Sequence, residues 1–462
     1  MTKRNPQTLI PVPAAASPPA FRSYGRTDLR RLPQLKQLSR DRLQAMDIVA
    51  RVLPFKVNNY VVENLIDWTR ALDDPIFRLT FPQPGMLRTD HFNEVAGAVR
   101  SGDREHLLAT IHAVREELNP HPAGQKDQNV PQLSDGTPLP GMQHKYTQTV
   151  LFFPSQGQTC HAYCTFCFRW PQFVAIKSGR FAMREATLLI RYLREHPEVT
   201  DLLITGGDPL IMRAKILSAY VDAVLKADLP GLQTIRIGTK ALSYWPHRFV
   251  SDPDTPELLQ MMRRVTERGL HLALMAHVNH VNELQTGVAE QALRNIRATG
   301  AEVRSQSPLM RRINDAPEDW TTLWQRQVRL GMVPYYMFLA RDTGAQHHFA
   351  VPLVRAWEIY SEAIRKTSGL ARTARGPSMS SAPGKIEISG VARVRDQRVL
   401  VLRMLQGRNP DWAYRPFFAE YDERALWLDD LRPAFGEREF FFEREAVAAG
   451  DEGDEFEAVA AA

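Results

Sequence analysis

The chain has 462 residues, 44% hydrophobic and 24% charged, which is room for one large domain with appendages or two ordinary ones. No run of 18 apolar residues occurs, so no membrane-spanning helix is expected, and the proline-rich start MTKRNPQTLIPVPAAASPPA lacks the apolar segment of a secretory signal. The net charge of +6, from 58 basic and 52 acidic residues, is too diffuse for a nucleic-acid groove; the three cysteines all lie within eight residues, which excludes a disulfide framework and suits a metal or cluster site in the reducing cytoplasm.

Residues 1–20, rich in Pro and Ala, are expected to be a disordered tail. Residues 21–141 form an N-terminal helical region. In it Leu35, Leu38, Leu43, Ile48 and Leu53, then Val61, Leu65, Trp68 and Leu72, recur at helical spacing, and 119–141 is loop. From 142 to 350 a regular alternation is predicted, with strands at 149–153, 201–205, 233–237, 270–276, 302–307 and 333–339. The intervening helices are 183–196, 214–227, 256–269, 289–300 and 319–331, with Gly269, Gly300 and Gly331 placed as C-caps. Six β units alternating with helices predict an α/β fold with a parallel sheet, either open and doubly wound or three-quarters of a barrel. In both, chemistry gathers at the C-terminal strand ends. Residues 351–445 read as a C-terminal α+β extension: a helix at 351–366, a β-hairpin at 386–404 turning at Arg395-Asp396-Gln397, and an aromatic-rich mixed stretch at 410–442. Residues 446–462 are an acidic tail, expected to be disordered.

The cysteines form the motif Cys160-His-Ala-Tyr-Cys164-Thr-Phe-Cys167, in the loop after the first strand of the alternation. Three thiolates on one short loop can ligate three irons of a four-iron cubane and leave the fourth open to a small molecule, whereas four cysteines would suit simple electron transfer. The competing reading is zinc held by the three cysteines and His161, but His161 follows Cys160 directly, which makes shared tetrahedral ligation awkward. After the second strand comes Gly206-Gly207-Asp208-Pro209, where glycines let backbone approach a ligand and Asp208 can accept from an ammonium.

The CxxxCxxC spacing, with Phe166 before the last cysteine, resembles the signature of the radical S-adenosylmethionine (SAM) superfamily. That resemblance implies a partial (β/α)6 barrel, a 4Fe–4S cluster on Cys160, Cys164 and Cys167, and SAM bound near Phe166, Gly206, Gly207, Asp208 and His277. Further segments resemble the lysine 2,3-aminomutase family within it. They are His144-Lys145-Tyr146, Cys167-Phe168-Arg169, LLITGGDPL (202–210), IRIGTK (235–240), His277-Val-Asn-His280-Val-Asn-Glu283, SQSPLMRRIND (305–315), VPYYMF (333–338) and His348-Phe349, in order between about residues 70 and 385.

The family resemblance implies a 5′-deoxyadenosyl radical that abstracts hydrogen, pyridoxal phosphate (PLP) as carrier of the amino group, and a 1,2-amino shift. It places Arg169 on the substrate α-carboxylate, Gln306 beside PLP, and Lys145 at one of two phosphate-binding arginine positions; the other falls on the uncharged Thr149. Lys385, in Ser381-Ala382-Pro383-Gly384-Lys385, stands where the family has its PLP lysine, with three glycines of the preceding loop missing. Arg341 and Ser381 fall where lysine-specific members use two aspartates for the distal ammonium, which implies an acidic or neutral substrate, glutamate among them. The expected partners are a small amino-acid substrate and a flavodoxin- or ferredoxin-type electron donor, with no nucleic acid and no membrane; a homo-oligomer is open. Two alternatives stand beside this reading. One is a PLP-independent radical SAM enzyme of the same lineage with other hydrogen-abstraction chemistry; the other is a non-catalytic zinc-binding protein.

Overall fold

The computed structural model describes residues 20–119, 129–174 and 182–448, so the expected tails lie outside the described residues except at their inner ends. The N-terminal region starts with a small antiparallel ladder, β1 (Ser23–Gly25) against β2 (Lys56–Asn58), which the helical spacing did not suggest. Around it lie the helices Arg40–Val52, Asn59–Asn64, Pro75–Thr80, Thr89–Ser101 and Arg104–Glu117. Four of them start where a polar side chain takes the first orphan N–H groups: Ser39, Asn58, Asp74 and Asp103.

The remaining strands join one sheet of eleven. These are β3 (Met142–Tyr146), β4 (Thr149–Phe152), β5 (Asp201–Ile204), β6 (Thr234–Thr239), β7 (His271–His277), β8 (Glu302–Leu309) and β9 (Val333–Leu339), then β10 (Arg375–Ser380), β11 (Gly384–Val394), β12 (Gln397–Gly407) and β13 (Pro416–Glu420). They lie side by side in chain order. Strands β4 to β10 are parallel; β3 and the hairpin strands β11 to β13 add antiparallel margins. All six expected parallel strands are present, and Gly269, Gly300 and Gly331 end their helices with positive φ of 92°, 86° and 76°. The sheet is larger than expected because β3 and β10 also pair. The hairpin turns on Arg395 and Asp396 alone, since Gln397 already pairs with Val394.

Alternation along the strands gives the sheet two different faces. Leu202, Ile204, Ile235, Ile237 and Val303 are buried against the crossover helices. Asp201, Leu203, Arg236, Gly238 and Gln306 are half-buried on the other face. That second face is concave. Lys145 Nζ in β3 donates to the carbonyl of Ser381, just after β10, at 2.5 Å. These strands are seven positions apart in the sheet, about 34 Å if it were flat, so the sheet curls until its first strand meets the β10–β11 turn.

A second hydrophobic core joins the N-terminal region to the loops beyond the C-terminal strand ends. Val49, Phe77 and Phe81 belong to one cluster with Ala162, Phe166 and Trp170 of the cysteine segment, with Tyr244 and Trp245 after β6, and with Phe349 after β9. The N-terminal region therefore roofs the rim where the motifs converge. Among the described residues no helix is long and apolar enough to cross a membrane.

Candidate functional site at the C-terminal strand ends

The cysteine loop is held in place by backbone hydrogen bonds to the roof. Tyr163 N donates to Lys56 O at 2.7 Å, Thr165 N to Leu79 O at 2.9 Å, and Lys56 Nζ to Cys160 O at 2.8 Å. Asn58 is fully buried and ties three segments together: its amide donates to His161 O (3.3 Å) and Tyr244 O (2.9 Å), while its oxygen caps the following helix at Val61 N (3.0 Å). The three thiols are half-buried and near enough to act on one another electrostatically. Burial first, then the charges of Asp208 and the other two thiolates, pushes Cys160 far up. Burial also raises Cys164 to about 12 and Cys167 to about 11, with Lys240 opposing the first and Arg169 the second. His161 turns away, its ring edge-on to Phe21 at 5.8 Å and its Nδ1 without a partner. Among the described residues no three His, Cys, Asp or Glu side chains are grouped to hold a single metal ion. The donor set, three thiols on one short loop with cationic groups around them, fits a cubane with one open iron; such buried thiolates need compensating metal charge.

Gly206 and Gly207 pack against the segment that leads into Cys160. A Cβ on Gly207 would stand 2.6 Å from both N and O of Thr159, and one on Gly206 2.7 Å from the Gln158 amide. Gly206 also has φ of 154°, which L side chains rarely adopt. The glycines thus let this turn lie directly against the backbone leading into Cys160. Asp208, expected to accept from a ligand ammonium, is instead occupied within the protein. It accepts from Thr239 Oγ1 (2.8 and 2.9 Å), Lys240 N (2.9 Å) and Leu210 N (2.9 Å), and its own N–H donates to Thr159 O (2.8 Å). It clamps the ends of β5 and β6 to the cysteine loop. Burial raises its carboxyl to about 6 despite those donors.

Phe166 and His277 do meet: the rings pack edge to face with centroids 5.5 Å apart. Beneath them is a buried ion pair that sequence reasoning missed. Lys240 Nζ donates to Glu283 Oε2 (2.8 Å), Asn279 Oδ1 (2.8 Å) and His277 O (3.1 Å), and lies 4.3 Å from the Tyr244 ring centroid. Tyr244 OH is in turn 4.0 Å from Cys164 Sγ. The residues end the segments IRIGTK and HVNHVNE, and that shared placement after adjacent strands was the available signal.

No protein-family model matches the chain. Two relatives described as "Putative L-lysine 2,3-aminomutase" come from Treponema pallidum and Aquifex aeolicus. The first is 31% identical over 264 residues, 56% of this chain and 68% of that protein. The second is 28% identical over 396 residues, 86% of this chain and 92% of that protein. The chain belongs to the lysine 2,3-aminomutase-like family of radical SAM enzymes. The L-lysine 2,3-aminomutase of Clostridium subterminale is 29% identical over 233 residues, 50% of this chain and 52% of that enzyme. Among solved structures, Streptococcus suis SuiB bound to its precursor peptide SuiA overlaps 57% of this chain and 51% of its own, at 11% identity and a TM-score of 0.34. Membership in this radical SAM family implies a 4Fe–4S cluster and SAM.

The residues that the family places around the substrate and PLP fall into two groups on the concave face. Near the rim, Arg169 lies against Phe153 (4.5 Å) and Phe168 (5.1 Å), and among the described residues its guanidinium has no hydrogen-bond or ion-pair partner. Burial lowers it to about 10, against the pull of Cys167 and Cys160. Gln306 is level with His277 in the ladder. Deeper in the concavity, Lys385 Nζ lies over Tyr336 (4.4 Å) and Phe338 (5.6 Å) and donates to Gln406 Oε1 at 3.2 Å. Desolvation, then Arg375, Arg236 and Lys145, lowers its amine to about 7; desolvation and Arg408 lower Lys145 to about 7. Thr149 donates to Asp201 Oδ2 at 3.1 Å, and Asp201 also pairs with Arg236.

Arg341 and Ser381 do not face this space as free selectors. Arg341 forms an ion pair with Asp429 at 2.7 Å and stacks on Trp427 at 4.8 Å, so its charge is met by the C-terminal extension. Ser381 is buried in the β10–β11 turn, its hydroxyl donating to Gly384 O at 2.9 Å and its carbonyl accepting from Lys145. This turn delivers Lys385 directly into β11, whose first residue is Gly384.

Proposed function

We propose that the chain is an amino-acid 2,3-aminomutase of the radical SAM type, using PLP on Lys385 and acting on glutamate or a neutral amino acid rather than lysine. In this reading the curled sheet is a partial (β/α)6 barrel, and Cys160, Cys164 and Cys167 ligate the cluster under the N-terminal roof. When bound, cluster and SAM supply the 5′-deoxyadenosyl radical, and PLP supplies the conjugated carrier for the amino group. Arg169 grips the substrate α-carboxylate, a task suited to a desolvated guanidinium fork without a protein partner. Lys385 presents a largely neutral, nucleophilic amine at physiological pH. The roof excludes water from the radical, and a flavodoxin- or ferredoxin-type protein delivers the electron.

The observation that carries this reading is the Lys385 amine lowered by burial to about 7 on an aromatic floor of Tyr336 and Phe338. Exclusion of lysine rests on charge. The carboxylates lining this face are committed, Asp201 to Arg236 and Glu302 to Arg304 and His271. A distal ammonium would therefore meet Asp201 and Glu302 already paired. The uncharged Thr149 favours a second reading, a PLP-independent enzyme with other hydrogen-abstraction chemistry.

The test is to reconstitute the protein anaerobically with iron, sulfide and PLP, reduce it with borohydride and map the labelled peptide. Label on Lys385, with β-amino acid formed from glutamate or a neutral amino acid in preference to lysine, is expected. Cleavage of SAM by a protein that never retains PLP would reject the aminomutase in favour of the second reading.

A further inference from the structure

Two basic side chains, Arg375 and Lys385, flank one aromatic ring deep in the concavity, and a third, Lys145, is near enough to Lys385 to act on its charge. Arg375 opens β10 in register with Tyr336, and its guanidinium stacks on Tyr335 (4.7 Å) and Tyr336 (4.4 Å). Lys385 Nζ lies 4.4 Å from the same Tyr336 centroid. Lys145 reaches in from the opposite margin of the sheet and is fixed by Ser381 O. Among the described residues the Arg375 guanidinium makes no hydrogen bond and no ion pair, and neither lysine meets a carboxylate. The nearest acids are spent: Asp201 on Arg236 and Thr149, Glu387 on Arg403 and the Gly376 N–H. A half-buried guanidinium without a counterion raises the energy of the folded chain, and the two amines beside it are poised to hold a proton once an anion arrives, so the arrangement is complete only with an anion among them.

We propose that Arg375, acting with Lys145, binds the phosphate of PLP and so replaces the arginine absent at Thr149. The inference rests on the reading that PLP joins Lys385. A phosphate dianion matches the charge, and a guanidinium held against two nearly perpendicular tyrosine rings offers it a fork with restricted freedom. The cation that Thr149 does not supply from β4 comes instead across the barrel mouth, from β10. No sequence comparison confined to the phosphate positions would find it, because β4 and β10 stand six positions apart in the sheet and only its curl, closed by Lys145 on Ser381, turns them toward one space.

The test compares the full-length, cluster-loaded protein with Arg375→Gln and Arg375→Lys, titrating PLP and the phosphate-free pyridoxal by absorbance, with circular dichroism confirming the fold. Loss of one charge-assisted contact should weaken PLP about tenfold or more in R375Q and less in R375K, and leave pyridoxal unchanged. If R375Q labels on Lys385 and binds PLP as tightly as the parent, the inference fails while the PLP reading stands. If the parent protein takes no PLP on Lys385, that reading fails. Thermal stabilisation by inorganic phosphate then decides the anion site: stabilisation of the parent but not R375Q supports it for another phosphorylated ligand, and equal or absent stabilisation overturns it.

Discussion

Asn58 is where the roof, the cysteine loop and the segment after β6 are tied together, and its replacement measures how far the cluster seat depends on the N-terminal region. Asn58→Ala removes a helix cap worth about 1 kcal/mol. It also leaves the buried carbonyls of His161 and Tyr244 short of a donor, at about 1–3 kcal/mol each. The expected loss is about 3 kcal/mol, rising to roughly 7 if no water enters the space. Asn58→Asp separates the two roles. It keeps the acceptor for Val61 N but turns a carboxylate toward two carbonyl oxygens, so it should destabilise as much as Ala or more. Urea unfolding of the apo-protein reads the stability. Iron and acid-labile sulfide per chain after anaerobic reconstitution read the seat, and both should fall in both variants. An Asn58→Asp protein with the parental urea midpoint and a full complement of iron would refute the reasoning.

Two further outcomes follow from the same geometry. Gly207→Ala forces a methyl against Thr159 backbone atoms at 2.6 Å, which cannot move without shifting the cysteine loop; it should cost about 1–3 kcal/mol and lower cluster loading, measured as iron content and SAM cleavage. The two lysines set a pH dependence: Lys145 and Lys385 titrate at about 7 in the folded state and near their ordinary 10.5 when unfolded, so the unfolded chain binds more protons above pH 7. Without PLP, stability should therefore rise from pH 7 to pH 8; above that the thiols of the unfolded chain, which ionise at about 8.5 while burial keeps the folded ones protonated, work against the rise. A Lys145→Met, Lys385→Met double variant should flatten that rise, and a flat parental profile in urea titrations would contradict it.

The parallel strands were readable because β5 to β9 are short β-rich apolar runs bounded by helices with glycine C-caps. Strand β3 (MQHKY) is polar and marginal, and β10 (RGPSMS) carries Gly, Pro and Ser, so neither has the composition of a strand; both form because a neighbour offers a ladder. The cysteine motif was legible since its ligands are local in sequence. The ion pair of Arg341 was not legible because its partner Asp429 is 88 residues away, and the charge balance of a side chain cannot be read without its neighbours. Asp208 was placed correctly on the rim, yet its donors Thr239 and Lys240 lie on the next strand. Arg375 was passed over for the same reason: only folding shows that its charge is left without an acid.

The bond from Lys145 to Ser381 joins residues 236 positions apart. On the ribosome, the roof, the cysteine loop and β4 to β9 are all synthesised before Lys385 emerges. The cysteine loop is thus made well before the wall that bears the Lys385 amine, and the contact that closes the curl of the sheet forms only once Ser381 has been added.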